Sequence, residues 1–252
     1  MRAVIMAGGK GTRLAPYTTM FPKPLVPIGD MPILEIVVRQ LSHFGIPKIT
    51  LAVGHLAELI MTYFGDGSRY GVQIDYSREE QPLGTAGPLS LVKGLNSAFL
   101  VMNGDLLTTL DFRGLLDHHH QSGAVATVAA YKRQVKIDLG ILELDEQNHV
   151  RGYIEKPTYT HHVSMGIYVF EPSALDYLEP NTRLDLPELV TRLLQAGRPV
   201  EAHVFKGFWL DIGRPADYAF AAENHDQIRP ALLHETGEDI TGLQARALLT
   251  TV

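Results

Sequence analysis

The chain has 252 residues, 45 % hydrophobic and 20 % charged, an ordinary globular balance that excludes a disordered or low-complexity protein. A net charge of −6 argues against broad, sequence-independent nucleic-acid binding, which needs a basic face. No cysteine is present, so disulfides and thiolate metal sites are excluded and stability rests on a buried core.

The opening, Met1 to Gly8, has too short an apolar run for a signal peptide. No run approaches the roughly 20 apolar residues that span a bilayer. A cytoplasmic protein with no membrane and no nucleic-acid partner is expected. Ala3 to Ala7 reads as a strand buried on both faces. Ile33, Ile36, Val37, Leu41 and Phe44 fall at helical spacing from about Pro32, and Gly45 ends that helix. A strand over 49–53, a helix over 56–64 and an alternating strand over 72–76 follow. Residues 85–95 read as a helix with Pro88 in its first turn. Phe99 to Met102 is a buried strand that runs into Asn103-Gly104-Asp105.

The second half is less regular. Residues 124–131 read as a strand, 140–144 and 150–154 as a hairpin, and 165–170 as a strand. Asp185 is placed to cap a helix over 186–196, with Gly197 as its stop. A strand over 200–205 and a helix over 215–228 complete the pattern. Strands alternating with helices predict an α/β fold with a mostly parallel sheet. The organisation expected is one domain over 1–228, with 229–252 as a C-terminal tail or cap. His118-His119-His120 sit on what reads as a solvated helix end. Consecutive helical residues point apart, so the three cannot converge on one ion.

The strongest signal is Gly8-Gly9-Lys10-Gly11-Thr12-Arg13-Leu14, followed by Pro16, Thr18 and Pro22-Lys23-Pro24-Leu25. Glycines directly after a first strand let the backbone approach a ligand, and consecutive loop N–H groups make an anion-binding concavity. Arg13 adds a planar fork for phosphate oxygens, and Lys23 a second cation held between prolines. The dinucleotide fingerprint fails because Leu14 replaces its third glycine. The P-loop fails because Gly11 follows Lys10.

That string resembles the signature of the sugar-phosphate nucleotidyltransferases, G-G-x-G-T-R-L-x-P-x-T then P-K-P-L. The resemblance extends to about Asp226. It implies a Rossmann-like three-layer α/β/α sandwich with a mixed, mostly parallel sheet. It implies nucleotide transfer from a nucleoside triphosphate to a sugar-1-phosphate, with release of pyrophosphate. Arg13 and Lys23 then carry catalysis. Ala7, Gly8, Gly9, Gly11, Thr12 and Gly104 hold the nucleotide, together with Gln81, Gly84 and Thr85 of a base-recognition loop. Asp105 and Asp211 match the family's two Mg²⁺ aspartates; taken alone, each also fits a turn-capping aspartate. Gly140, Glu155, Lys156, Ser164 and Gly166 match the sugar-phosphate positions. Ser164 is a departure, since the family usually has asparagine there. Leu83-Gly84-Thr85-Ala86-Gly87 is worded most like guanylyltransferases for mannose and heptose phosphates, which points to GTP and to mannose-1-phosphate or a related heptose or cyclitol phosphate. A uridylyl- or thymidylyltransferase of the same family is the alternative. A homodimer is one assembly open to such a chain.

Two rivals lie outside this activity. A catalytically silent regulatory subunit is disfavoured by the presence of Arg13, Lys23 and Asp105. A glycosyltransferase of similar fold is disfavoured because Leu106-Leu107, not x-Asp, follows Asp105.

Overall fold

The computed structural model describes residues 1–235 and 240–243. The chain opens with β1 (Arg2–Ala7) and a short hairpin of β2 (Pro27–Ile28) and β3 (Met31–Pro32). Helix α1 (Ile33–His43), strand β4 (Lys48–Val53), helix α2 (Ala57–Phe64), and strands β5 (Gln73–Arg78), β6 (Phe99–Asn103) and β7 (Leu106–Thr108) follow. Next come α3 (Phe112–Ser122), β8 (Ala126–Lys136), β9 (Ile141–Leu144), β10 (Val150–Ile154) and β11 (Thr158–Phe170). The described part closes with α4 (Leu186–Gln195), β12 (Val200–Phe205), β13 (Trp209–Asp211), α5 (Pro215–Glu223) and α6 (His225–Leu232).

Seven strands form the main sheet in the order β12-β8-β11-β6-β1-β4-β5. All its pairings are parallel except those of β11, which runs against both β6 and β8. The chain steps from β1 outward through β4 to β5, then returns to place β6 on the other side of β1. That reversal opens a crevice beyond the carboxyl ends of β1 and β6, where open α/β sheets bind ligands.

Alternation along the central strands builds the layers. Ala3, Ile5 and Ala7 of β1 face a core shared with Leu34, Val37 and Leu41 of α1 and Ile60 and Phe64 of α2. Val4 and Val101 face the opposite layer, with Leu186, Leu189 and Leu193 of α4. Those three leucines recur at helical spacing, and burying each contributes about 1.5–3 kcal/mol. The result is the three-layer α/β/α sandwich with a mixed, mostly parallel sheet.

Several elements depart from the sequence pattern. Residues 85–95 do not form a helix; only a 3-10 turn over Gly87–Leu91 forms. Gly84 adopts φ +77°, and the N–H groups of Ala86 and Gly87 donate to the Leu184 carbonyl while Leu184 N–H donates to the Leu83 carbonyl. The helix expected over 215–228 breaks at Asn224 (φ −110°, ψ 15°) into α5 and α6, and α6 runs on through residue 228 to Leu232. Strands β8 and β11 extend past the sheet as a long antiparallel ribbon, Thr158 pairing with Lys136. The histidine run is not a solvated helix end: His119 is 1 % exposed, and its Nδ1 lies 2.8 Å from Thr127 Oγ1. His118 packs edge-on against His203. No group of three or more metal-type side chains converges among the described residues, and no described helix is long and apolar enough to cross a membrane.

Candidate active site

The crevice at the reversal point encloses about 1360 Å³. Its wall includes Ala7, Gly8, Gly9, Gly11, Thr12 and Arg13 from the loop after β1, Gly104 and Asp105 after β6, and Gln81, Gly84 and Thr85 after β5. Lys23 reaches it from a 3-10 turn over Lys23–Leu25. Every nucleotide-site residue expected from the sequence therefore lines one cavity.

Local geometry explains the loop's composition. Gly11 adopts φ +61°, and a Cβ there would fall 2.8 Å from Lys23 Cβ. The bare backbone lets Lys23 lie against the loop, held at 8 % exposure. A buried ammonium needs a partner, and Lys23 Nζ has one in Asp105 Oδ2.

Asp105 follows β6, and Asp211 ends β13. They meet because the short strands β7 and β13 pair antiparallel, with Leu106 opposite Asp211. The Ile212 N–H donates to the Asp105 carbonyl at 3.1 Å, which closes that ladder. Asp211 is exposed at the end of β13, beside the crevice residues Asp105, Lys23 and Arg13. Desolvation, then repulsion from Asp105, push its carboxyl up to about 6, partly offset by Lys23 and Arg13. Asp105 Oδ1 is buried without a hydrogen-bond partner among the described residues. Arg13 lies beside the pair, its Nη1 being 3.8 Å from where a Cβ on Gly213 would stand. Arg13, Lys23 and Asp105 thus line the crevice, and Asp211 stands beside them without being on its wall.

The loop after β5 contributes differently from expectation. With no helix there, no row of free N–H groups faces the ligand. The Ala86 and Gly87 N–H groups donate to the Leu184 carbonyl at 2.8 and 3.0 Å, and Thr85 N–H to Asp185 Oδ1 at 3.0 Å. Asp185 does not cap α4 with its own side chain; Thr85 Oγ1 does, accepting from Leu186 N–H at 2.8 Å. The crevice wall here is Glu79, Glu80, Gln81 and Gly84. Glu79 Oε2 accepts from Leu83 N–H at 3.0 Å. Its other oxygen sits where side chains on Gly8 or Gly54 would collide, at 2.5 and 2.7 Å from their added Cβ atoms. Sequence reasoning missed Glu79. Two glycines on separate loops, after β1 and β4, made the only hint.

Gly140, Glu155, Lys156, Ser164 and Gly166 are not on the crevice wall. Glu155 accepts from Tyr153 OH at 2.9 Å and pairs with Lys156 at 3.7 Å, both well exposed in the bend between β10 and β11. Gly140 packs against the Tyr153 ring. Ser164 Oγ lies 2.9 Å from Tyr168 OH at a bulge in β11. Gly166 adjoins the crevice through Asn103, whose Nδ2 is 2.8 Å from the position of an added Cβ. Asn103 itself lines the crevice, and its Oδ1 has no partner among the described residues.

Comparison with known proteins places this geometry. The chain is 35 % identical over 238 residues to a UTP–glucose-1-phosphate uridylyltransferase of Synechocystis, covering 86 % of this chain and 61 % of that protein. It is 35 % identical over 227 residues to a probable mannose-1-phosphate guanylyltransferase of Oryza sativa, covering 86 % and 63 %. The chain thus spans about three-fifths of the length of these relatives. Among solved structures, HddC from Yersinia pseudotuberculosis complexed with GMP-PN superposes with a TM-score of 0.68 at 26 % identity, covering 89 % of this chain and 99 % of that one. A putative glucose-1-phosphate thymidylyltransferase from Bacillus anthracis shares the fold, with a TM-score of 0.72 at 24 % identity over 90 % of this chain and 96 % of that one. Residues 2–227 match the family described as nucleotidyl transferase. With the glycine loop, Arg13, Lys23 and Asp105 lining one crevice and Asp211 beside it, the chain belongs to that nucleotidyl transferase family.

Proposed function

We propose that the chain is a sugar-1-phosphate nucleotidyltransferase. The observation that carries this reading is the crevice lined by the glycine loop, Arg13, Lys23 and Asp105, with Asp211 beside Asp105. The names of the relatives agree with it. A phosphate oxygen of the sugar-1-phosphate attacks the α-phosphorus of a nucleoside triphosphate. The bond from that phosphorus to the β-phosphate oxygen breaks, and pyrophosphate leaves with the electron pair. The attacking oxygen is already anionic at neutral pH, so positioning and charge neutralisation carry the reaction. Lys23 offsets repulsion between two anionic reactants, and Arg13 stabilises the departing pyrophosphate.

The two aspartates fit Mg²⁺, which takes one or two carboxylates and completes its shell with substrate phosphates and water. The orphaned Asp105 Oδ1 and the mutual repulsion of the pair are what such a cation relieves. Bound there, the ion supplies charge neutralisation to the phosphates. Asp105 and Asp211 would hold it, and Lys23 pairs with Asp105.

For the base, we read guanine. Glu79 presents a carboxylate on the crevice wall, and guanine carries two adjacent N–H donors on one edge where uracil and thymine carry one. For the acceptor, the mannose-1-phosphate guanylyltransferases among the relatives support mannose-1-phosphate or a related heptose or cyclitol phosphate. The test is pyrophosphate release from a panel of triphosphates and sugar-1-phosphates with Mg²⁺. Release is expected only when both substrates are present. Equal release from triphosphate alone would instead show a hydrolase.

A further inference from the structure

The wall loop after β5 is held from behind, by residues a hundred positions away in sequence. Thr85 N–H donates to Asp185 Oδ1 at 3.0 Å, and the Thr85 hydroxyl contacts the same oxygen at 3.3 Å. That hydroxyl also accepts Leu186 N–H at 2.8 Å, so it caps α4. The Leu184 carbonyl takes two N–H donors from the loop, and Leu184 N–H returns a bond to the Leu83 carbonyl at 3.0 Å. The fit is close: a Cβ on Gly84 would stand 2.5 Å from Leu184 O and 2.6 Å from Asp185 Oδ1. Gly84 also holds φ +77°, a backbone state that side chains disfavour.

We infer that Asp185 is a positioning residue for nucleotide binding, acting through Thr85 and Gly84. It is not on the crevice wall. Its carboxylate takes both polar groups of Thr85, and this fixes the stretch from Gln81 to Gly84 as a rigid face of the crevice. The inference rests on the proposal that this loop meets the nucleotide. It assigns the start of α4, whose first turn belongs to the opposite layer, to the same site.

The experiment measures GTP binding by calorimetry alongside steady-state kinetics for both substrates. Asp185→Ala orphans a loop N–H, and a lost charge-assisted hydrogen bond of this kind is expected to weaken GTP binding about tenfold. KM for GTP should rise in parallel. The turnover number at saturation and KM for the sugar-1-phosphate should stay within about twofold. Asp185→Asn keeps an oxygen at the same place and should restore binding, which a merely destabilised fold would not explain. Should Asp185→Ala fail to fold, Thr85→Val carries the test: it removes the hydroxyl, should weaken GTP binding likewise, and Thr85→Ser should restore it. The inference is overturned if GTP binding is unchanged in Asp185→Ala, if Asp185→Asn behaves no better, or if both substrates lose equally. Failure of the wild-type chain to bind any triphosphate would instead overturn the site reading beneath it.

Discussion

Asp105 and Asp211 approach each other across the β7–β13 ladder, and Lys23 pairs with Asp105 alone. Asp211 is left with the unrelieved share of the repulsion. The proposed shared cation would relieve that repulsion. Asp105→Asn and Asp211→Asn should each lower turnover by about a thousandfold or more, because losing a bound metal forfeits several kcal/mol of charge stabilisation. The double variant should be little worse than either single one. A Mg²⁺ titration of turnover checks this. Near-normal activity of both single variants at ordinary Mg²⁺ would make the two aspartates turn residues.

Desolvation of Asp211 and that repulsion together have a sign in stability. The Asp211 carboxyl titrates near 6 in the folded chain, above its usual value of 3.8. Its contribution to stability is full below pH 3.8 and is lost as pH rises through 6. In EDTA at pH 7.5, Asp211→Asn should be more stable than wild type. Because Asp211 is exposed to solvent, screening reduces the gain to on the order of 1 kcal/mol. Denaturation midpoints should converge near pH 4.

Arg13→Lys keeps the charge and loses the planar fork. Its best contacts form as charge moves onto the leaving pyrophosphate, so turnover should fall about tenfold to a hundredfold with a smaller change in KM for the triphosphate. Steady-state kinetics decide it. A raised KM with unchanged turnover would assign Arg13 to ground-state binding.

The legible part of this site was local. Glycines after a buried strand mark the phosphate loop because the turn and the close approach are properties of adjacent residues. The approach of Asp105 and Asp211 was not locally legible, since it depends on two three-residue strands too short to leave a pattern. Their resemblance to a known family supplied what periodicity could not. The stretch 85–95 misled for the opposite reason. Thr85 and Pro88 look like a helix start, but Gly84 turns the backbone so that Leu184, far along the chain, takes the N–H groups. Asp185 looks like a cap, and the cap is Thr85. His119 sits beside polar neighbours in sequence, and only the pairing of β8 in the sheet puts Thr127 against it.

Glu79 should discriminate between bases. Glu79→Gln keeps an acceptor for Leu83 N–H but places an amide where guanine needs a second acceptor. KM for GTP should rise about tenfold, with smaller changes for UTP and dTTP. Competitive turnover with equal GTP, UTP, dTTP, CTP and ATP gives the ratio for wild type and variant. A wild-type preference for another base would remove guanine from the proposal.

His119 sets an acid limit on the fold. Burial lowers its pKa below the ordinary 6.5, and the nearby His118 and His120 add to that. Glu171, 3.4 Å from Nε2, opposes the shift but does not reverse it. His203 and His234 are lowered too, each mainly by burial and then by a neighbouring histidine. A lowered histidine contributes stability that is present above pH 6.5 and lost as pH falls through the folded pKa, because the unfolded chain takes up the proton first. Within that window each such histidine contributes a slope of up to about 1.4 kcal/mol per pH unit. Urea midpoints should therefore fall between pH 7 and pH 5 in wild type. His119→Gln retains a polar group facing Thr127 and cannot take up the proton. It should start lower at pH 7, since it disturbs a packed position, and then decline less steeply on acidification. Parallel slopes for wild type and variant would show that His119 takes no part in the acid limit.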